Sequence, residues 1–397
     1  IAARVLEARN GVGGRIKTDS RDGFLLDHGF QVLQTAYPEA QRVLDFERLK
    51  LRHFAPGAMI RIRGHFYTLA DPRRRPSHWL DTLTAPVGGL GDRLRLLRLV
   101  RRVTRGELED LFQQPESGAI DYLKAEGFSH AMIEHFFRPF FGGVCLDKQM
   151  RASSRVLQYV LRMFAEGEAA IPTGGMGQIP QQLAAGLPAG CVTTDARVGH
   201  IRGDMVFMED GSRIRARAVV VATEGPEAAR LLGSEPPQGA FSETCLYFSC
   251  DRAAWHTPYL VLNGEGSGVI NNIAFPSRVS PAYAPAGKSL ASVVVLGDPD
   301  DGAATLAQRV QDQLADWFGE EVRQWRHLKS YRIAHALPDQ SPPSPNPTAV
   351  GSNTRHRSGI FVCGEYESLP GIQWALLSAR RTADAVRSYL RGDPASG

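Results

Sequence analysis

Two short runs, one near each end of the chain, carry residue types suited to holding a nucleotide. The first is Val5-Leu6-Glu7-Ala8-Arg9-Asn10-Gly11-Val12-Gly13-Gly14-Arg15-Ile16. An apolar strand that ends in an acid can present a carboxylate to both hydroxyls of an adenosine ribose. Gly13 and Gly14 permit close backbone approach, and the Arg15 guanidinium matches phosphate oxygens bidentately. The second is Gly359-Ile360-Phe361-Val362-Cys363-Gly364-Glu365-Tyr366, which leads through Gly371 into a long helical pattern. Gly364 again admits a close approach, and Glu365 can accept from a hydroxyl. A helix beginning near Ile372-Gln373 would stabilise negative charge at its N-terminus.

The elements needed to position these runs are legible. Residues 58–69 alternate around Gly64 as a hairpin does. Residues 72–86 form a basic, proline-broken connector. Residues 91–164 are mostly helical, with Leu94 and Leu97 and then Tyr159 and Met163 at helical spacing. Pro172-Thr173-Gly174-Gly175-Met176-Gly177 is a sharp break before a short helix over 179–187. Residues 192–206 and 213–222 read as strands, and 241–295 is strand-rich. A helix over 306–318 and a strand over 322–336 precede the proline-rich loop 341–353. A buried strand over 360–363 and a last helix over 371–390 close the chain. Nucleotide-type patterns thus sit at the start, middle and end. The expected fold is α/β, with a discontinuous Rossmann-like domain (1–52, 170–238, 352–391). An α+β domain of helical block and mixed sheet (53–169, 239–351) is inserted into it.

Taken together, the two runs resemble the FAD-dependent superfamily of flavin amine oxidases, protoporphyrinogen oxidases and phytoene desaturases. The resemblance implies an adenosine site at Glu7, Ala8 and Arg9, and a pyrophosphate and ribityl path along Gly13, Gly14 and Arg15. It extends to Asp27-His28-Gly29-Phe30, where Gly29 and Phe30 approach the flavin ring, and to the Gly-Gly-Met turn at 174–176. Val198 would lie against the adenine, and Thr223 would end a buried strand beside the dinucleotide. Gly364, Glu365, Ile372 and Gln373 would form the closing motif, the helix dipole favouring the reduced flavin. Many members of the family have Asp where this chain has Glu365. No cysteine lies just before Gly359, so the resemblance implies non-covalent FAD.

Within that family the substrate class stays open. Tyr331-Arg332-Ile333-Ala334-His335-Ala336-Leu337-Pro338 and Phe136-Phe137-Arg138-Pro139-Phe140 resemble the protoporphyrinogen oxidase and desaturase branch. They imply two-electron dehydrogenation of a small apolar or polycyclic substrate, with hydride passing to flavin N5 and oxygen or a quinone as final acceptor. The alternatives are a flavin amine oxidase, for which Lys329 is the one lysine in the right region, and a non-catalytic flavin- or lipid-binding protein. No catalytic side chain is singled out, since the flavin carries the redox chemistry.

Composition bounds the rest. The 397 residues are 43% hydrophobic and 22% charged with a net charge of +4, an ordinary globular balance. Six lysines against 40 arginines, interspersed with acids, do not form a nucleic-acid footprint. The basic helix around Arg93–Arg105 interleaves leucines and suits either a solvated face or peripheral contact with an anionic membrane. Five scattered cysteines lack zinc or redox spacing, which suggests a reduced, cytoplasmic protein without metal. Only six residues precede Glu7, whereas a G-x-G-x-x-G turn should lie roughly 20 residues before the acid. The expectation is therefore a strand and glycine turn upstream, about 30 residues in all. Expressed without them, the chain should be poorly soluble and hold FAD weakly.

Overall fold

The computed structural model describes residues 1–70, 74, 82, 84–237, 239–251, 254, 256–347, 355–357 and 359–392. Most of the 72–86 connector and part of the 341–353 loop lie outside the described residues. The largest element is a seven-stranded mixed sheet. Its order is Arg326–Pro338, Ala240–Cys250, Ser289–Leu296, Asn272–Ala274, Leu260–Asn263, Gly57–Ile62, His65–Ala70. All pairs are antiparallel except Leu260–Asn263 with Gly57–Ile62. Period-2 alternation divides its side chains between two faces. Leu246, Phe248, Val293 and Val295 pack against Leu306, Val310 and Leu314 of the Ala303–Phe318 helix. Cys245, Tyr247 and Leu290 face the other way, onto the opening segment.

The helical block expected over 91–164 is present, from Leu90–Val103 to Ser154–Glu166. Its core joins Phe137, Phe141 and Leu157 to Ile60 and Leu262 of the sheet and to Trp374 of the final helix, Ile372–Arg391. On Leu90–Val103 the side chains of Leu90, Leu94 and Leu97 remain exposed. No helix among the described residues is long and apolar enough to cross a membrane.

Two smaller parallel pairs carry the end motifs. Val5–Leu6 pairs with Val192–Thr193, and Val219–Val221 with Ile360–Val362. The reading of 192–206 and 213–222 as two strands is corrected here. Asp195 at φ 52° and Gly203 at φ 61° turn the chain, and the region breaks into five short strands in three sheets. The turn at Asp195 hooks onto the opening run, because the amides of Asp195 and Ala196 donate to the carbonyls of Arg9 and Glu7 at 2.9 and 2.8 Å. The strand read over 322–336 likewise starts later, at Arg326, after a 3-10 turn over Glu320–Gln324.

Asp27 joins the distant segments. Its buried carboxylate accepts from Thr18 Oγ1 at 2.5 Å, from Tyr283 Oη at 2.8 Å and from the Met176 amide at 2.9 Å. The opening hairpin, the Gly-Gly-Met turn and the Pro281–Tyr283 turn thus meet on one side chain. Burial pushes its carboxyl above the usual range, against the pull of these three donors. Asp27→Ala orphans all three, at about 1–3 kcal/mol for each buried group left unmet. We expect a loss of at least about 3 kcal/mol from the urea midpoint and slope, and a loss below about 1 kcal/mol would show that this joint carries little of the fold.

Candidate active site

A cavity of about 2180 Å³ opens where the end motifs meet. Ordinary ligand pockets run to roughly 300–1,000 Å³, so it has room for more than one small molecule. Val5–Leu6 and Val219–Val221 are each paired on one side, and residues of both line the cavity. At their carboxyl ends stand Glu7 and Thr223, where ligands of open α/β sheets bind.

On the opening run, Glu7 Oε1 accepts from the Arg9 amide at 2.9 Å, which fixes the carboxylate at the strand end. Gly13 sits at φ 120°, and a Cβ there would lie 2.3 Å from the Ile16 carbonyl oxygen, so only glycine fits this turn. On the closing run, the Gly364 amide donates to Ser378 Oγ at 3.1 Å and Thr382 Oγ1 donates to the Val362 carbonyl at 3.1 Å. The final helix thereby holds the strand end it follows. Its first turn opens on the cavity at Ile372, and the first amides of a helix have no partner within it.

Twelve of the fourteen residues singled out from sequence line this cavity: Glu7, Ala8, Arg9, Gly13, Gly14, Arg15, Phe30, Val198, Thr223, Gly364, Glu365 and Ile372. Gly29 and Gln373 do not. Gly29 sits behind Phe30 at φ 96°, packed on Ile333 and Glu243. The Gln373 side chain turns away, and its Oε1 accepts from the Glu39 amide at 2.9 Å. Glu39 also grips Arg380 Nε at 3.0 Å, so these two contacts anchor the final helix to Pro38–Val43.

Three readings of individual side chains change. Arg15 forms an ion pair with Glu365 and donates to the carbonyls of His335 and Ala336, and Glu365 Oε2 accepts from the Gly371 amide at 3.1 Å. The two groups expected to hold separate parts of a cofactor therefore hold each other. The Val198 carbonyl accepts from Arg230 at 2.9 Å, and its side chain packs against the cluster of Val221, Ala228 and Leu231. Lys329 points out of the cavity to Asp19, at 2.7 Å, beside the Tyr331 hydroxyl at 2.8 Å. Burial works to raise the Asp19 carboxyl, but bonds from Lys329, Tyr331 and His28 outweigh it and hold it well below the usual range.

Much of the remaining lining is apolar. It includes Phe140 and Val144 of the helical block, Val160, and Leu260, Ile333 and Leu337 of the sheet, with the polar tips of Tyr37, Tyr159 and Gln340 among them. One acid interrupts them. Glu243 is 6% exposed and, among the described residues, its side chain accepts only the Phe30 amide, at 2.8 Å. Burial pushes its carboxyl up to about 7. Sequence reasoning missed it. The available signal was a lone acid at the head of the apolar run Thr244-Cys245-Leu246-Tyr247-Phe248. Asn272 Nδ2, also in this wall, is buried without a partner among the described residues.

A cleft at parallel strand ends, opening into an apolar chamber, gives the fold a long groove with space for a second, smaller ligand beside it. The sequence profile of the flavin containing amine oxidoreductases matches residues 2–387. The chain belongs to that family, and it is an FAD-dependent oxidoreductase. Among solved structures, an oxidoreductase from Methanosarcina mazei superposes with a TM-score of 0.71 at 16% identity, covering 96% of this chain and 94% of that one. A provisionally named protoporphyrinogen oxidase from Exiguobacterium sp. 255-15 gives 0.68 at 16%, covering 98% and 93%. Cyclohexylamine oxidase from Brevibacterium oxydans IH-35A gives 0.65 at 14%, covering 98% and 94%. At such identities the likeness speaks for the fold. No curated protein sequence matches the chain. The cavity fits the cofactor on its own evidence, with room for a dinucleotide and with Gly13, Gly14 and Gly364 on its lining beside the Glu7 carboxylate.

The Glu243 carboxyl moves from an ordinary 4.5 to about 7 on folding, so the native state binds its proton more tightly than the unfolded chain. Its contribution to stability is greatest at low pH and is lost as pH rises through that window. Glu243→Gln removes this dependence. The stability of the variant relative to the parent should rise by up to about 3 kcal/mol between about pH 4.5 and 7 at ~1.36 kcal/mol per unit, read from urea curves. A flat difference across the window would show that the carboxyl is not desolvated.

Proposed function

We propose that the protein dehydrogenates a small, largely apolar or polycyclic substrate by two electrons, holding FAD without a covalent bond. Oxygen or a quinone is the final acceptor. In this reading 1–52, 170–238 and 352–391 hold the cofactor, while 53–169 and 239–351 enclose the substrate. Bound flavin supplies the hydride acceptor at N5.

The protein's own groups orient and exclude. Glu7 offers a carboxylate to the ribose, and the Arg9 amide holds it in place. The turns at Gly13 and Gly364 bring backbone close to the ligand. The Arg15–Glu365 pair clasps the two runs. The helix N-terminus at Ile372 favours negative charge on the reduced cofactor. Phe140, Val144, Val160 and Leu260 keep water from the reacting carbon.

The observation that carries the reading is the apolar chamber between helical block and sheet, reached by Ala336 and Leu337 of the protoporphyrinogen oxidase-like segment. The lysine that an amine oxidase reading needs is tied to Asp19 outside it. The amine reading keeps one support, the Glu243 carboxylate, which could meet an ammonium.

Anaerobic mixing of the FAD-loaded protein with a reduced tetrapyrrole, a polyene and a panel of primary amines separates the readings. We expect the absorbance of oxidised flavin to bleach with a polycyclic or polyene compound and to persist with small amines. Bleaching by amines alone, with aldehyde and ammonia released, would overturn the proposal.

Such a substrate would arrive from a bilayer, and the Leu90–Val103 helix offers a landing face. Exposed Leu90, Leu94 and Leu97 lie at helical spacing ahead of exposed Arg98, Arg101 and Arg105. The protein should sediment with phosphatidylglycerol vesicles at low salt, and Leu94→Glu with Leu97→Glu should abolish this. Equal sedimentation of parent and variant would remove the membrane from the proposal.

A further inference from the structure

Five carboxylates are buried among the described residues: Asp27, Glu39, Asp92, Asp147 and Glu243. Four are met by several donors or by a cation. Asp27 has its three donors. Glu39 holds the Arg380 guanidinium. Asp92 accepts from the Gly89 and Ser129 amides and from the Ser129 hydroxyl. Asp147 accepts from the Gln149 and Arg151 amides and from the Arg151 guanidinium. Glu243 differs. Its Oε1 takes one bond, from the Phe30 amide, and its Oε2 meets no donor among the described residues. Burying an acid without partners costs free energy unless something else supplies them.

The surroundings hold this acid in place without satisfying it. In the strand register Glu243 stands opposite Ile333 on one side and Leu296 on the other. Gly29 packs directly against it. A Cβ there would lie 3.3 Å from Glu243 Oε1 and 2.9 Å from Ile333 Cδ1, so the lack of a side chain at residue 29 lets the carboxylate reach the Phe30 amide. The chamber wall around it is apolar at Leu260, Val294, Ile333 and Leu337, and the unpartnered Asn272 Nδ2 lines the same space.

We propose that Glu243 is the polar anchor of the substrate chamber, its free oxygen accepting a hydrogen bond from an N–H group on an otherwise apolar ring compound. The assignment rests on the chamber being the substrate's, and it adds the residue that selects there: between ring compounds of one shape, Glu243 favours the one that carries an N–H donor. An N–H donor completes the acid's unmet hydrogen bonding, and the apolar body fills the surrounding wall. A hydrocarbon of the same shape would leave the carboxylate buried and unmet, and that difference selects between them.

Equilibrium dialysis with matched probes tests this without turnover. Carbazole and fluorene share one tricyclic shape and differ by N–H against CH2. 1-(Aminomethyl)naphthalene and 1-ethylnaphthalene form a second pair and ask whether an ammonium serves as well as a neutral N–H. The parent should bind at least one nitrogen probe about tenfold or more tighter than its hydrocarbon partner, as expected for a hydrogen bond to a charged group. Glu243→Leu should erase the preference and leave hydrocarbon affinity unchanged or higher. Should that variant not fold, Glu243→Gln, which keeps the volume, has to lower the preference. Two results overturn the anchor alone: hydrocarbons that bind the parent as tightly as their nitrogen partners, or a preference that survives in the variants. If no probe of either kind binds the parent, the apolar chamber falls as a substrate site and the anchor with it.

Discussion

A single buried carboxylate, Asp27, holds together the parts of the chain that build the cavity. It is closed in by groups from a hairpin near residue 18, a turn near 176 and a short helical segment near 283. An acid removed from water must find several donors, and here each donor comes from a different stretch of sequence. That requirement brings the opening run against the seven-stranded sheet. It also sets Phe30, three residues on, beside Glu243. The place where the opening run meets the apolar part of the cavity follows from where Asp27 is satisfied.

The rest of the site follows from the two chain ends meeting. Arg15 and Glu365 lie far apart in sequence and pair across the cavity rim. Glu39 holds the final helix through Gln373 and Arg380, so the helix N-terminus at Ile372 cannot drift from the opening run. Two acids near the cavity are treated in opposite ways. Asp19 gathers Lys329, Tyr331 and His28 and stays charged. Glu243 gathers one amide and is pushed towards neutrality. Function is best sought at the acid whose surroundings leave it incomplete.

The sequence made the two runs that line the cavity legible because their requirements are local. Glycine at positive φ, an acid at a strand end and a helix after Gly371 are written in adjacent residues, and the final helix and the 57–70 hairpin appear where periodicity put them. What stayed hidden depends on neighbours distant in sequence. Nothing near Gln373 reveals that Glu39 captures its side chain. Nothing near Lys329 reveals Asp19. The apolar run around Val192 read as one strand because the turn at Asp195 is stabilised by carbonyls of Glu7 and Arg9. Glu243 escaped notice since a single acid in a strand resembles a solvent-facing residue until the opposing face is known.

A titration of FAD into the parent, Glu7→Ala and Arg15→Ala proteins, followed by quenching of flavin fluorescence, tests most directly whether both chain ends hold one cofactor. Each variant, with its fold verified by circular dichroism, should bind FAD about tenfold or more weakly, Glu7→Ala by losing a charge-assisted contact worth roughly 1.5–3 kcal/mol and Arg15→Ala by losing the clasp on Glu365 that holds the two runs together. Affinities equal to the parent's in both variants would contradict a cofactor site built from these two runs.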